Sequence, residues 1–296
     1  MIKDFVYHRA NTSEEALDLL DKYRDDCKII CGGQSLLILM RQGLVAPANL
    51  IDIKGVKDLD YITFDPEEGL KIGAVTTHRA VEKSEIVKDN YSILIEMEKN
   101  LASVQTRNWG TLGGNLCHGD PTGDPATLFT VLNGSVKLAS KERERTIPVE
   151  EFSIDFFETV LEEGEMLLEI QLPVIPPRTA VAYDKFNLIE NDQGIVAAGV
   201  SVTVDEKGSV CQEARIALGS AAPVPMRAKA AEELLRGKKI DDALLDAVGQ
   251  KAAEEADPVA DIHASEEYRR DLVNTLTKRM VRKAWEQARA LAGGKE

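Results

Sequence analysis

The sequence lacks clustered metal ligands. Its four cysteines, Cys27, Cys31, Cys117 and Cys211, form no CxxC pair and are scattered along the chain. An iron–sulfur cluster or structural zinc site needs thiolates close together, so neither is expected, and the cysteines read as reduced and mostly buried. The four histidines, His8, His78, His118 and His263, show no HExxH or similar spacing, so no metal ligands are expected in this chain. Basic charge is also short. There are 36 Lys and Arg against 50 Asp and Glu, a formal net charge of -14 at pH 7. Such a surface repels a phosphate backbone and offers no polybasic patch, which argues against nucleic-acid and membrane partners. No run approaches the ~18 apolar residues of a membrane span. The start, Met-Ile-Lys-Asp-Phe, is followed by no long apolar stretch, so no signal peptide is expected and the expected location is cytoplasmic.

What is present is a chain of 296 residues with 44% hydrophobic content, ample for a sizeable core and suggestive of two domains. Thr12-Ser13-Glu14-Glu15 reads as a capping box opening a helix with Ala16, Leu17, Leu20 and Tyr23 on one face. Lys28 to Cys31 reads as a buried strand, Ser35 to Met40 as a helix and Leu50 to Ile53 as a strand. Further on, Leu70 to Val75 suits a strand and Ile93 to Leu101 a helix. Gly110 to Asp124 is polar and glycine-broken and reads as a loop. Pro125 to Leu132 reads as a helix with Asp124 as its N-cap. Val136 to Ala139 and Leu167 to Leu172 suit strands. Pro173, Pro176 and Pro177 then crowd together and mark a domain boundary. Beyond it, Val181 to Phe186, Ile195 to Val204 and Ala214 to Leu218 suit an antiparallel sheet. Arg227 to Leu235, Asp241 to Ala256 and Ser265 to Leu291 suit helices.

Two loops carry the chemistry. Cys31-Gly32-Gly33-Gln34-Ser35-Leu36 sits between a strand and a helix. Two glycines let the backbone approach a pyrophosphate closely, and successive N–H groups can face the anion. The loop has no lysine and no GxGxxG spacing, so it is neither a Walker A loop nor a Rossmann turn. Taken alone, Gly-Gly after a strand is also what a plain structural turn contains. The second loop, Thr111 to Asp124, holds four glycines among Thr, Asn, His and two Asp. Thr111 and Asn115 can donate to phosphate or polyol oxygens, and Asp120 and Asp124 can accept from hydroxyls. A series of exposed Asx and Gly turns, with Asp124 only a cap, would have the same composition.

Together the loops are more specific. GGQSLL, followed about eighty residues later by RNWGTLGGNLCHGDPTGD, resembles the two FAD loops of the flavin subunits of molybdenum hydroxylases, the family of xanthine and nicotinate dehydrogenases. Phe156-Phe157, Glu163 to Leu167, Tyr183-Asp184-Lys185-Phe186, Ile216 to Ser220, Pro225 to Ala228 and Ser265 to Arg270 resemble further marks of that family. The resemblance spans essentially the whole chain.

It implies an α+β fold: a two-subdomain FAD-binding domain of the vanillyl-alcohol-oxidase or PCMH type, then a C-terminal domain with a three-stranded antiparallel sheet and helices. The expected domains are residues 1–175, with subdomains of about 1–55 and 56–175, and residues 176–296. By resemblance, Ile29, Ile30, Cys31, Gly32, Gly33, Gln34, Ser35 and Leu36 hold the pyrophosphate of FAD. Thr111, Leu112, Gly113, Gly114 and Asn115 hold its second side, and Asp124 binds a cofactor hydroxyl. Leu101, Leu167 and Lys185 match positions near the isoalloxazine. Trp109 is unusual for the family and is expected to pack, the alternative being that it shields the flavin. No residue of this chain is expected to be catalytic. The resemblance further implies a noncovalent FAD. It implies partners carrying molybdopterin on a large subunit and two [2Fe-2S] clusters on a small one, with NAD(P)+ as acceptor. The substrate class it suggests is nicotinate or a purine. The alternatives are a stand-alone flavin oxidase or dehydrogenase of the same superfamily and a non-catalytic nucleotide-binding or assembly module.

Overall fold

A computed structural model describes residues 2–293; the outermost ends of the two expected domains, 1 and 294–296, lie outside the described residues. The first unit is a parallel sheet with helices. Strands β1 (Val6–Arg9), β2 (Cys27–Ile30) and β3 (Asn49–Asp52) alternate with helices α1 (Ser13–Tyr23) and α2 (Leu36–Gln42), and β3 lies between the other two. Parallel neighbours need crossovers, which the helices supply. Thr12 caps α1 by accepting from the Glu15 N–H, as the capping-box pattern predicts.

The second unit contains β4 (Ile62–Asp65), β5 (Gly69–Gly73) and six short helices. These are α3 (His78–Lys83), α4 (Glu85–Asn90), α5 (Ser92–Lys99), α6 (Val104–Trp109), α7 (Leu112–His118) and α8 (Asp124–Val131). Strands β6 (Ser135–Ala139), β7 (Glu144–Pro148), β8 (Ser153–Asp155), β9 (Glu158–Thr159) and β10 (Met166–Leu172) follow. The antiparallel sheet has the order β4-β5-β10-β6-β7. Its core includes Leu70, Leu94, Leu112, Phe129 and Ile170.

The last unit begins at β11 (Thr179–Phe186) and continues with β12 (Val196–Val204), β13 (Cys211–Gly219) and β14 (Met226–Arg227). Helices α9 (Lys229–Leu235), α10 (Asp242–Glu255) and α11 (Glu266–Leu291) complete it. The antiparallel sheet is four-stranded, with order β11-β12-β13-β14. The extra strand is two residues long, and Arg227, expected to start a helix, pairs with Ala217 instead. α11 packs its apolar stripe, Val273, Leu276, Met280, Val281 and Ala284, into this unit's core.

α8 locks the second unit to the last. Every residue from Asp124 to Val131 is buried, and the helix contacts both α7 and the β12–β13 face. Sandwiched in this way, the helix is apolar except for Asp124, Thr127 and Thr130. Val131 leaves so little room at Gly199 of β12 that a Cβ there would meet it at 3.0 Å. Ser220 donates its backbone N–H to Pro121, 2.9 Å away, and Arg215 reaches Asn133 at 2.6 Å.

Candidate functional site

A cavity of about 1720 Å³ runs between the first unit, the α6–α8 region and the start of the last unit. Its first wall is the β2–α2 turn. Ile29, Ile30, Cys31, Gly32, Gly33, Gln34, Ser35 and Leu36 all line it. Gly33 has φ +69°, a conformation that suits glycine, and Leu37 follows at 3.1 Å from where its Cβ would be. Among the described residues the N–H groups of Gly33, Gln34 and Ser35 have no protein acceptor, whereas Leu37 already donates back to Gly33. The turn therefore presents free donors to the cavity.

The opposite wall is built differently. Thr111, Gly113, Gly114 and Asn115 line the cavity, but they belong to a helix where a loop was expected. Thr111 caps α7 by accepting from the Gly114 N–H at 3.2 Å. Leu112 N–H donates to Thr76 and Gly113 N–H to Ala74. The first turn of α7 thus spends its donors on protein. Glycine helix propensity is poor, yet burial of Leu112 and Leu116 in the second core stabilises the helix against it. Gly113 is required because a Cβ would sit 2.6 Å from the Ala74 carbonyl oxygen. Gly114 meets only Thr111 Oγ1, at 2.8 Å, and otherwise opens to the cavity. Leu112 departs from expectation: its side chain is in the core, its N–H is spent, and it does not line the cavity.

Asp124 also departs from expectation. Gly123 occupies the N-cap position and Asp124 is the first helical residue, with no capping bond from its side chain. Its carboxylate is buried and accepts from Tyr183 Oη at 2.6 Å and Lys185 Nζ at 2.7 Å. Each oxygen takes one bond from β11, so Asp124 meets the cavity as half of an ion pair. Burial pushes the Asp124 pKa up, against the pull of the Lys185 ammonium and the Tyr183 hydroxyl. The same burial pushes the Tyr183 hydroxyl well above its ordinary range. Lys185 is only 6% exposed, so it is a buried lysine and not a surface one. Leu101, Leu167, Asp124 and Lys185 line the same cavity.

Trp109 does not pack. It is 56% exposed, and Lys54 Nζ stands 3.1 Å from its ring centroid. Its backbone, by contrast, is pressed against Gly32, where a Cβ would strike the Trp109 carbonyl oxygen. Close backbone approach thus joins the two walls and fixes the width of the cavity.

The two thiols on the walls are protected. Burial raises Cys31 to about 11 and Cys117 to about 12. His118 is lowered by burial, and its ring lies 5.1 Å from that of Phe157. Sequence reasoning missed several cavity residues. His78 is the foremost, and the segment Ile189 to Gln193 is another, tied down by the Asn191 carbonyl accepting from Ala102 N–H at 2.9 Å. Glu98, partner of His78, carried a signal: it sits four residues after Leu94, on the apolar face of α5. Among the described residues no group of three or more His, Cys, Asp or Glu could hold a metal ion. Among them, too, no helix is long and apolar enough to cross a membrane.

Comparison with known proteins agrees with this geometry along the whole chain. Residues 3–175 match the family described as FAD binding domain in molybdopterin dehydrogenase, and residues 181–284 match the CO dehydrogenase flavoprotein C-terminal domain. The 6-hydroxypseudooxynicotine dehydrogenase complex subunit alpha of Paenarthrobacter nicotinovorans is 33% identical over 285 residues, 96% of each chain. A solved carbon monoxide dehydrogenase from Hydrogenophaga pseudoflava superposes with TM-score 0.93 at 31% identity, covering 97% of this chain and 99% of that one. Quinoline 2-oxidoreductase from Pseudomonas putida 86 gives TM-score 0.91 at 31% identity, covering 98% and 99%. The cavity, its glycine-shaped walls and these matches over both halves of the sequence lead to one conclusion: the chain belongs to the FAD-binding medium subunits of the molybdenum hydroxylase family, which includes the carbon monoxide and xanthine dehydrogenases.

Proposed function

We propose that FAD lies across the two walls of this cavity and that the chain is the electron-transfer subunit of its complex. The observation that carries the reading is the convergence of both glycine-shaped walls and Lys185 on one cavity. Its volume exceeds the roughly 300–1,000 Å³ of sites for drug-sized ligands, as a dinucleotide requires. The free N–H groups of Gly33, Gln34 and Ser35 fit the pyrophosphate, within a cradle formed by residues 29–36. Gly114 leaves room and the Asn115 side chain supplies polar atoms on the second side. Leu101 and Leu167 supply apolar contact for the ring system. Lys185, held by Asp124 and Tyr183, places a positive charge where negative charge develops on reduction. FAD itself supplies the capacity to take electrons singly and release them in pairs.

In this reading a large partner subunit oxidises the substrate at molybdopterin, and two [2Fe-2S] clusters on a small partner subunit deliver the electrons. NAD+ or NADP+ takes them from this chain's side of the complex. Relatives named for 6-hydroxypseudooxynicotine, nicotine, caffeine, xanthine and quinoline favour a nitrogen heteroaromatic substrate, of the nicotinate or purine class. The stand-alone oxidase reading would need a base of its own, and His263, the one histidine of the C-terminal half, is exposed and outside the cavity. The test is purification of the full chain with FAD, followed by acid precipitation and anaerobic mixing with NADH or NADPH. Acid should release all the yellow colour, because neither the Cys117 thiol nor the His118 ring is set up for a covalent link. Colour retained in the pellet would overturn the noncovalent site, and failure of both nicotinamides to bleach the flavin would overturn the acceptor.

A further inference from the structure

Three carboxylates are buried in one neighbourhood beside the cavity. Two of them have a permanent cation. Asp124 has Lys185 at 2.7 Å, and Glu82 has Arg107 at 3.0 Å and Arg79 at 2.7 Å. The third is Glu98, which has no exposed surface. Its one side-chain partner among the described residues is His78, whose Nδ1 stands 3.0 Å from both carboxylate oxygens. A fully buried carboxylate whose cation can lose its proton is an unusual arrangement, since a buried charge without a partner costs several kcal/mol.

The histidine is held in a fixed pose. His78 opens α3, capped by Thr77, and its backbone N–H donates to Gly110 at 3.0 Å. A Cβ on Gly110 would lie 3.2 Å from His78 Cδ2, so the ring edge is pressed against the backbone that precedes Thr111. With Nδ1 bound to Glu98, Nε2 is the remaining polar atom. It has no protein partner among the described residues, and it is not sealed among the orphaned buried atoms. His78 is 3% exposed and lines the cavity, so what surface Nε2 has opens there.

We propose that His78, oriented by Glu98, is the proton-exchanging residue of the flavin cavity. This rests on the FAD reading above. When two electrons arrive from the partner subunits, the cavity gains negative charge and one proton from solvent binds at Nε2. When the electrons leave to the acceptor, that proton returns to solvent, so charge and atoms balance over a cycle. The groups facing the pair agree with this role. Glu98 on α5 and Asp124 on α8 favour the imidazolium, while Arg107 on α6 and Lys185 on β11 oppose it. Arg79 and Glu82, on the histidine's own helix, largely cancel, and Tyr183 is a neutral donor to Asp124. Burial pushes the Glu98 carboxyl up, against the pull of the neighbouring His78 ring. Among the described residues the cavity has no second carboxylate whose side-chain partner is a histidine alone.

The experiment is a redox titration of the FAD-loaded full chain between pH 6 and 9, for wild type, His78→Asn and Glu98→Gln. One proton per two electrons is a tenfold change in equilibrium constant per pH unit, about 30 mV. Over part of the range the wild-type potential should fall more steeply than that of His78→Asn by this amount. Glu98→Gln should keep the steep segment but move it to lower pH by one unit or more, because the imidazolium loses its carboxylate. A His78→Asn curve parallel to wild type throughout overturns the proposal. If His78→Asn does not hold FAD, Glu98→Gln decides: a displaced segment supports the proposal, and an unmoved one overturns it. Wild-type chain that takes up no FAD would instead defeat the FAD reading itself.

Discussion

The two cavity walls are both glycine-rich, yet they use glycine for opposite ends. In the β2–α2 turn the backbone is left unspent: Gly33 adopts φ +69° and three consecutive N–H groups face the cavity without protein acceptors. In α7 the corresponding donors are consumed by Thr76, Ala74 and Thr111. There, Gly113 exists so that a helix can lie directly on the Ala74 backbone, and Gly114 so that the same helix can leave space on its other face. Composition alone makes the walls look alike. The difference teaches that a glycine beside a ligand site serves the ligand only where its missing Cβ faces the cavity.

Substitutions separate the two uses. Gly113→Val should have the largest effect, since its Cβ would stand 2.6 Å from a backbone oxygen that cannot give way. Overpacking against backbone should cost about 3 kcal/mol or more, read as loss of soluble protein or a large fall in Tm. Stable Gly113→Val protein would break the comparison.

Lys185→Met ranks next. It leaves Asp124 buried with Tyr183 alone, and removing one partner of a buried pair costs about 3–5 kcal/mol. The loss should depend on pH. Burial already raises the folded pKa of Asp124 above its ordinary 3.8, so between the unfolded and folded values the native state binds the extra proton. Its contribution to stability therefore falls as pH rises through that window and is constant above it. Without the ammonium the window widens upward. Denaturant titrations should show a larger deficit at pH 8 than at pH 5; equal deficits would mean that Asp124 is not the group left stranded. The flavin potential of the variant should also drop, because the reduced ring loses a cation.

Gly114→Val should leave the fold nearly intact and weaken FAD binding at least 100-fold, about 2.7 kcal/mol. Isothermal titration of the apo chain measures this, and unchanged affinity would move FAD away from α7. The smallest effects come from the caps. Thr111→Ala should cost about 1 kcal/mol of stability, as loss of a capping oxygen does. Ser35, at the N-cap position of α2, makes no capping bond with its side chain, so Ser35→Ala should shift Tm little. Equal shifts would erase the contrast between the walls.

Much of the fold was legible. Capping residues, alternation and apolar spacing located α1, β2, α2, β3, α8 and the three long strands of the last unit, because those signals act within one element. The resemblance of both loops carried the family and its cofactor. Three features were not legible. α7 was hidden because glycine reads as a breaker, while tertiary burial of Leu112 and Leu116 overrides local propensity. Trp109 read as a packing residue, but its ring lies outward under Lys54, since only its backbone is needed against Gly32. Asp124 read as a cap, yet its side-chain partners are 59 and 61 residues away on β11.

By itself the sequence determined the α+β character, the family, the cofactor class and which two segments face each other. Those depend on residue type at short spacing, which a linear chain displays. Only the tertiary structure decided which backbone donors remain free and which glycines face protein. It also decided which carboxylates find a cation, and it brought His78 to Glu98 across 20 residues. Hydrogen-bond satisfaction and buried charge are properties of contacts between distant segments, and no local pattern encodes them.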